Sequence, residues 1–322
     1  MARRSDGRVR ADQTAPALTF TDSDARDADA WIRARVTPSG AIETAHDRPW
    51  ATVLRVPVAD GVVWFKACGE VQGFEPRLTV DLFSRWPDLM PEVVDHDLDR
   101  AWLLLRDAGT QVRELGNPPE AWLAALPRYA ELQRGEIVHV DDHLAHGVPD
   151  LRVTAALPSR YAELWSRDLP IEPRDGDRLR RFESRFVELC DELAGYGIAD
   201  TIQHDDLHLN NLFVHEDGER VIDWGDASIS HPFASLVVTF QFLEERNQLA
   251  PGDPWFARLR DAYLEPWGRD LVSAFDLAMR VGAFAHAIAW LRQLDHLPAS
   301  DRADFDRAFA GVLARAVANC DG

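Results

Sequence analysis

The sequence predicts an α+β fold in two lobes, a small antiparallel-sheet lobe followed by a larger helical one. Two observations carry this expectation. Residues 41–106 read as strands with one helix inserted, whereas strand content almost vanishes over the segments that follow. The chain's single lysine, Lys66, ends an apolar run in the first part, and a polar loop rich in Asp and Asn lies far downstream in the second.

Residues 1–20 are polar and read as a disordered tail. Ser23 is placed to cap a first helix through about Arg35, with Trp31 and Ile32 on its apolar side. Thr52 to Val58 and Val62 to Cys68 flank an Asp60-Gly61 turn as a hairpin. Phe74 to Trp86 reads as helix, with Leu78, Leu82 and Phe83 on one face. Val93 to His96 and Ala101 to Leu105 form a second hairpin. The small lobe therefore spans residues 21–106, with a connector near Arg106–Gly116, and the helical lobe spans 107–322. In the latter, segments 118–135, 157–167 and 176–194 carry helical periodicity. The last of these aligns Leu179, Phe182, Phe186, Leu189, Cys190 and Leu193 in one stripe and ends at Gly195 and Gly197. Asn211 to His215 and Arg220 to Asp223 make a short hairpin, and helices dominate from Pro232 to Ala318. A cleft at the junction of two such lobes is a common place for a ligand.

A hydrophobic content of 46% with 28% charged residues is that of a globular chain, long enough at 322 residues to bury a large core. A formal net charge of −19 argues against nucleic acid and suits a cationic or neutral small substrate. Cys68, Cys190 and Cys320 lack disulfide or zinc spacing. The first fifteen residues hold arginines but no apolar stretch, so no secretory signal is expected. No run approaches the length of a membrane span, which points to the cytosol.

Arginine supplies the other 34 of the 35 basic residues, so the one retained lysine is expected to do something arginine cannot. A compact ammonium on a flexible stem serves as a point charge against phosphate. Glu75, near the start of the next helix, is the best acid to hold it; Glu70 is nearer in sequence but lies in the turn. Downstream, His204-Asp205-Asp206-Leu207-His208-Leu209-Asn210-Asn211 fits H-x-D-x-x-x-x-N, the spacing of a kinase catalytic loop. Val221-Ile222-Asp223-Trp224-Gly225 then delivers an acid from two apolar residues into a turn. In that arrangement Asp206 accepts the proton of a substrate hydroxyl, while Asn211 and Asp223 offer the hard oxygens that phosphate-bound Mg²⁺ requires. His204 braces the loop, Trp224 packs, and Asp226 either lines the substrate side or supports the metal ligands. No glycine-rich phosphate loop is present, so the turn Ala45-His46-Asp47-Arg48-Pro49-Trp50 is expected above the nucleotide, gripping it through backbone amides or Arg48.

On these residues the chain resembles the aminoglycoside phosphotransferase and choline kinase-like family, relatives of the protein kinases, over about residues 45–300. The family loop usually reads H-G-D-x-H-x-x-N, and its I-D-[WF] appears as Ile222-Asp223-Trp224. The resemblance implies a protein-kinase-like fold, with Asp206 as base, Asn211 and Asp223 as metal ligands, Lys66 on phosphate and Glu75 as its partner. It also implies a hinge in Trp102–Asp107, where Leu104, Leu105 and Arg106 contact the adenine of ATP through their backbone. Two departures stand out. Asp205 replaces a usual glycine, adding charge near the base and on the substrate side. His231-Pro232-Phe233-Ala234-Ser235-Leu236 stands where D-P-x-x-D-L is common, so both supporting acids are missing. The expected activity is transfer of a phosphoryl group from MgATP to a hydroxyl of an aminoglycoside or amino sugar. Choline, homoserine, fructosamine and macrolide kinases are the rivals within the class. A silent nucleotide-binding module is the rival outside it, although every reacting group is present.

Overall fold

The computed structural model describes residues 20–268 and 270–321. The tail expected over residues 1–20 therefore lies, apart from Phe20, outside the described residues. Helix α1 (Asp22–Arg33) is capped at Thr21 and not at Ser23. The Thr21 hydroxyl accepts from the Asp24 N–H while the Asp24 carboxylate accepts from the Thr21 N–H at 2.7 Å. This reciprocal box satisfies two orphan donors, which a lone serine does not.

Five strands follow: β1 (Glu43–Arg48), β2 (Ala51–Val58), β3 (Gly61–Cys68), β4 (Val93–Asp97) and β5 (Trp102–Arg106). They form one antiparallel sheet in the order β1-β2-β3-β5-β4. β2 and β3 pair in unbroken register from Ala51↔Cys68 to Val58↔Gly61, as the hairpin reading expected. Leu54, Val56, Val63 and Phe65 face α1, where Trp31, Phe65 and Trp102 pack with ring centroids 5.3–5.8 Å apart. Strand β1 corrects the turn expected over residues 45–50. All six of its residues are exposed, so no alternation marks it in the sequence, yet its backbone pairs with β2. Only Pro49-Trp50 turn.

Helix α2 (Glu75–Arg85) joins β3 to β4, but Leu78 and Leu82 belong to the larger core and not to the sheet's own cluster. That larger core is built by α3 (Pro119–Glu136), α4 (Val140–Ala145), α5 (Ala156–Arg160), α6 (Glu163–Ser166), α7 (Pro173–Ala194), α8 (Leu236–Asn247), α9 (Pro254–Leu264), α10 (Val272–Leu294) and α11 (Arg302–Ala318). Five short strands are set among them: β6 (Thr110–Gln111), β7 (Thr201–Gln203), β8 (Leu212–His215), β9 (Gly218–Val221) and β10 (Ser228–Ser230). They pair as β6-β8-β9 and β10-β7. The two- and three-residue strands are too short to carry a period and were not legible in the sequence. Helix α10 overturns the expectation that no run reaches membrane-span length. It is 23 residues long and apolar enough by composition, with 61% of its apolar window buried inside the fold. A helix packed on most sides by its own protein is apolar on most sides for that reason. Gly282 lets the turn at 232–235 approach it, since a Cβ there would sit 2.7 Å from the Ala234 side chain.

Glu136 ties α2 to α3 and α4. Fully buried, it accepts from Arg85 at 2.6 and 2.7 Å, from Trp86 Nε1 at 2.7 Å and from His143 Nε2 at 2.7 Å. Burial opposes its ionisation, but the bonds from His143, Arg85 and Trp86 outweigh it and hold the carboxyl down at about 2. Its folded pKa lies below the unfolded value of 4.5, so its contribution is present above that value and lost as pH falls toward 2. Glu136→Ala is expected to cost about 3 kcal/mol, because it strands the buried donors. Denaturant unfolding followed against pH should also show a flatter acid limb in Glu136→Gln than in the wild type.

Candidate active site

Lys66 is brought to its partners by two elements on either side of the cleft. Its Nζ lies 2.6 Å from Glu75 Oε2 in the first turn of α2 and 2.6 Å from Asp223 Oδ1. The lysine is 9% exposed and Glu75 only 2%, whereas the Asp223 carboxylate opens into the cleft. Desolvation opposes the ammonium, yet the charges of Asp223 and Glu75 outweigh it and raise its pKa well above the ordinary value. Desolvation likewise opposes the Asp223 carboxylate, and the Lys66 charge overrides it to lower that pKa. Glu75 moves up instead, because burial there exceeds what the shared ammonium returns.

Residues 204–211 connect β7 to β8, and the chain turns back through β9 to Ile222. The backbone of Ile222 fastens both ends of that loop. Its N–H donates to the Asn211 carbonyl at 3.0 Å, and its carbonyl accepts from His204 Nε2 at 2.8 Å. His204 Nδ1 accepts from the Asp206 N–H at 3.3 Å, so the ring must be neutral with its proton on Nε2. Burial supports this by dropping the His204 pKa to about 4. Its ring packs on fully buried Trp224, with centroids 4.8 Å apart. The hairpin expected to run through Asp223 stops at Val221, and Asp223 takes a left-handed conformation with φ of 63°. That turn ends the strand and faces the acid toward Lys66.

Asn211 Nδ2 donates to the Asp206 carbonyl at 2.9 Å and to Asp206 Oδ2 at 3.1 Å. The two residues are thus held together, and the amide oxygen of Asn211 is left for another partner. Burial, and then the charges of Asp226 and Asp223, push the Asp206 carboxyl well above its usual value. Asp205 sits at φ of 62°, the left-handed region that glycine occupies without strain and that Asp tolerates better than most residues. Its carboxylate accepts from Gln203 and Ser228, so both oxygens are engaged inside the fold although the residue borders the cleft. Asp226 accepts from Gln293 Nε2 at 3.1 Å and lies 3.6 Å from Arg292.

The missing acids of the 231–236 segment are replaced by a neutral network that the sequence reading did not find. Ser235 Oγ lies 3.0 Å from the Tyr129 hydroxyl, which accepts the His204 N–H at 3.0 Å. Gln133 Nε2 donates to Ser235 Oγ at 3.0 Å and to the Ile202 carbonyl at 2.9 Å, and Tyr263 donates to Gln133 Oε1 at 2.6 Å. Tyr129 and Gln133 are four apart on α3 and so share a face; two polar groups on an apolar helix stripe were the available signal. Tyr129→Phe leaves the His204 N–H without its acceptor. The expected result is a loss of about 1–3 kcal/mol together with reduced kcat, while the KM for nucleotide holds. Equal losses in kcat and nucleotide affinity would contradict a loop-positioning role.

A cleft of about 880 Å³ is bordered by Lys66, Glu75, Asp205, Asp206, Asn211, Asp223 and Asp226, while the network beneath the loop lies behind it. On its sheet side it is lined by Arg48, Trp50, Val53 and Leu105, with Phe213 and Ile222 opposite. Of the three residues expected to meet the adenine through their backbone, Leu105 and Arg106 border the cleft and Leu104 does not. β5 has partners on both edges, and the N–H of Arg106 donates to Glu92 O at 2.9 Å. Leu104 is buried in the sheet's core, and the Arg106 guanidinium pairs with Asp60 at 3.1 Å. In the segment 107–109 that follows β5, Gly109 has φ of 106°, and a Cβ would strike the Val214 carbonyl.

Asn211 and Asp223 suit Mg²⁺, which takes hard oxygens from one or two side chains and the rest from phosphate and water. The bonds that orient Asn211 and the open carboxylate of Asp223 are the observations that fit this ion.

The phosphotransferase enzyme family matches residues 56–275 of the chain. No curated protein matches its sequence. A choline/ethanolamine kinase family protein from Mesorhizobium loti is similar in structure, with a TM-score of 0.62 at 18% identity over 93% of this chain and 95% of that one. Macrolide 2'-phosphotransferase type I gives 0.62 at 14% identity, over 91% and 99%. The GDP complex of aminoglycoside 2'-phosphotransferase-IIIa gives 0.60 at 14%, over 93% and 99%. At such identities these likenesses bear on the fold, which is the protein-kinase-like fold expected from the sequence. The family match covers well over half of the chain, and the chain belongs to the phosphotransferase enzyme family, whose members are small-molecule kinases.

Proposed function

We propose that the protein is an ATP- and Mg²⁺-dependent kinase that moves the γ-phosphoryl group to a hydroxyl of a small molecule. The observation that carries this is the convergence of Lys66, Asp223 and the Asp206–Asn211 pair on one cleft from segments far apart in sequence. Phosphoryl transfer requires positioning and charge neutralisation more than covalent chemistry. Lys66, held by Glu75, presents its ammonium to the phosphates of the nucleotide. Asp206 accepts the hydrogen bond of the acceptor hydroxyl and then its proton, a role favoured by a carboxyl pKa raised by burial. His204, Tyr129 and the Ile222 backbone fix the loop from which Asp206 acts. Asn211 and Asp223 would hold Mg²⁺, which when bound would neutralise charge on the phosphates.

The structural relatives are named for choline or ethanolamine, macrolide and aminoglycoside substrates, all of which carry hydroxyl groups. A cytosolic location follows from the use of ATP. ADP release tests the reading, measured with MgATP against amino sugars, aminoglycosides, choline, amino alcohols and neutral alcohols. MgGTP belongs in the same series because one relative is a GDP complex. Stimulated release with one acceptor supports the reading; nucleotide binding with no release across the panel favours a silent binding module.

A further inference from the structure

Beyond Asp206 the cleft runs between α8, α10 and α11, and its lining changes character. Val238 and Phe242 border it from α8, Ala289 and Trp290 from α10, and Phe305 and Val312 from α11. The polar groups that α8 and α10 bring to this arm are uncharged: Gln241, Gln293 and His286. Burial drops the His286 pKa to about 4, so the imidazole is neutral at physiological pH. Its Nδ1 has no hydrogen-bond partner among the described residues.

Of the carboxylates on these helices, Asp276 is exposed and does not border the cleft, and the others are turned to other work. Glu244 and Glu245 pair with Arg315 at 3.5 and 2.6 Å, Asp306 with Arg302 at 2.7 Å, and Asp304 with Arg307 at 3.2 Å. At the neck of the arm Asp205 is bonded by Gln203 and Ser228, and Asp226 faces Gln293 and Arg292. On the opposite wall Arg113 and Glu114 bring one charge of each sign. A ligand with several ammonium groups would lose its hydration in this arm without gaining matching carboxylates, which is costly. Nor is an open aromatic cage for a quaternary ammonium on offer, because the Trp290 ring is stacked on Phe309 and packed against Phe305. The chain's net negative charge acts at long range on encounter and does not alter this local mismatch.

Resting on the kinase reading above, we infer that the acceptor is an uncharged alcohol with a mainly apolar body, a hydroxylated aliphatic or aromatic ring system, seated against Trp290. This departs from the amino sugar that the sequence favoured. In the reaction the alcohol oxygen bonds to the γ-phosphorus as the bond to the β-bridging oxygen breaks, ADP leaves, and the hydroxyl proton passes to Asp206.

The test uses the full chain with MgATP and three probes: 4-phenylcyclohexanol, kanamycin and choline. The expected kcat/KM for the neutral alcohol exceeds both others by about tenfold or more, the scale set by apolar pocket contacts. Trp290→Ala should lower it through the acceptor KM and leave the ATP KM unchanged. Val312→Asp should narrow the preference against kanamycin. Preferred turnover of kanamycin or choline overturns the inference while leaving the kinase reading intact. Should no probe be turned over, equilibrium binding decides, followed by calorimetric titration with ADP and Mg²⁺ present. Binding of 4-phenylcyclohexanol that Trp290→Ala abolishes supports the apolar arm even if the kinase reading fails; no such binding sinks it.

Discussion

Asp206→Asn is expected to lower kcat by about 10²–10⁴, the usual contribution of a positioned base, while MgATP affinity stays near the wild-type value. The substitution keeps shape and leaves an oxygen to accept from Asn211 Nδ2, which now lies 3.1 Å from Asp206 Oδ2. The loop is held by His204, Tyr129 and Ile222, none of which depends on the Asp206 carboxylate. What disappears is the group that takes the acceptor's proton. Turnover by ADP release and affinity by calorimetric titration separate the two effects, and unchanged turnover would remove Asp206 from the chemistry.

Lys66→Ala should do two different things, and a second variant tells them apart. It removes the point charge on the phosphates, for which a fall of about 10²–10³ in kcat/KM for ATP is expected. It also leaves Glu75, which is 2% exposed, facing Asp223 with no cation between them. Breaking a buried pair in this way costs about 3–5 kcal/mol of stability. In Lys66→Met with Glu75→Gln the stranded charge is gone, so stability should largely return while activity does not. Recovery of activity with stability would mean that the lysine is a structural tie alone. Arginine is a poor substitute here, since its planar fork does not fit between two carboxylates that approach one small ammonium at 2.6 Å.

The groups legible in the sequence were those whose chemistry fixes their identity. Lys66, Asp206, Asn211 and Asp223 stood out by rarity and spacing, and Glu75 by its place at a helix start next to the lysine strand. The β2–β3 hairpin was legible because one face is buried, which imposes a period of two. β1 was not, since a strand exposed on both faces has no such period. The turn at 49–50 was therefore drawn too wide. The brace beneath the loop was hidden for another reason. Tyr129, Gln133, Ser235 and Tyr263 are ordinary residues in helices and a turn, and only their meeting in space gives them a role. α2 lies between two strands of the small lobe in the chain, and its buried Leu78 and Leu82 pack into the larger core. Long-range packing of that kind leaves no local mark on eleven residues of helix.

The most direct test of the central claim is the Mg²⁺ dependence of ATP binding, which needs no acceptor. ATP titrated into the wild-type protein should bind at least about tenfold more tightly with Mg²⁺ than without it, as a difference of about 1.4 kcal/mol requires. That gain should vanish when Asn211 and Asp223 are both replaced by alanine. Equal affinity with and without Mg²⁺, or a gain that survives both substitutions, would contradict the account.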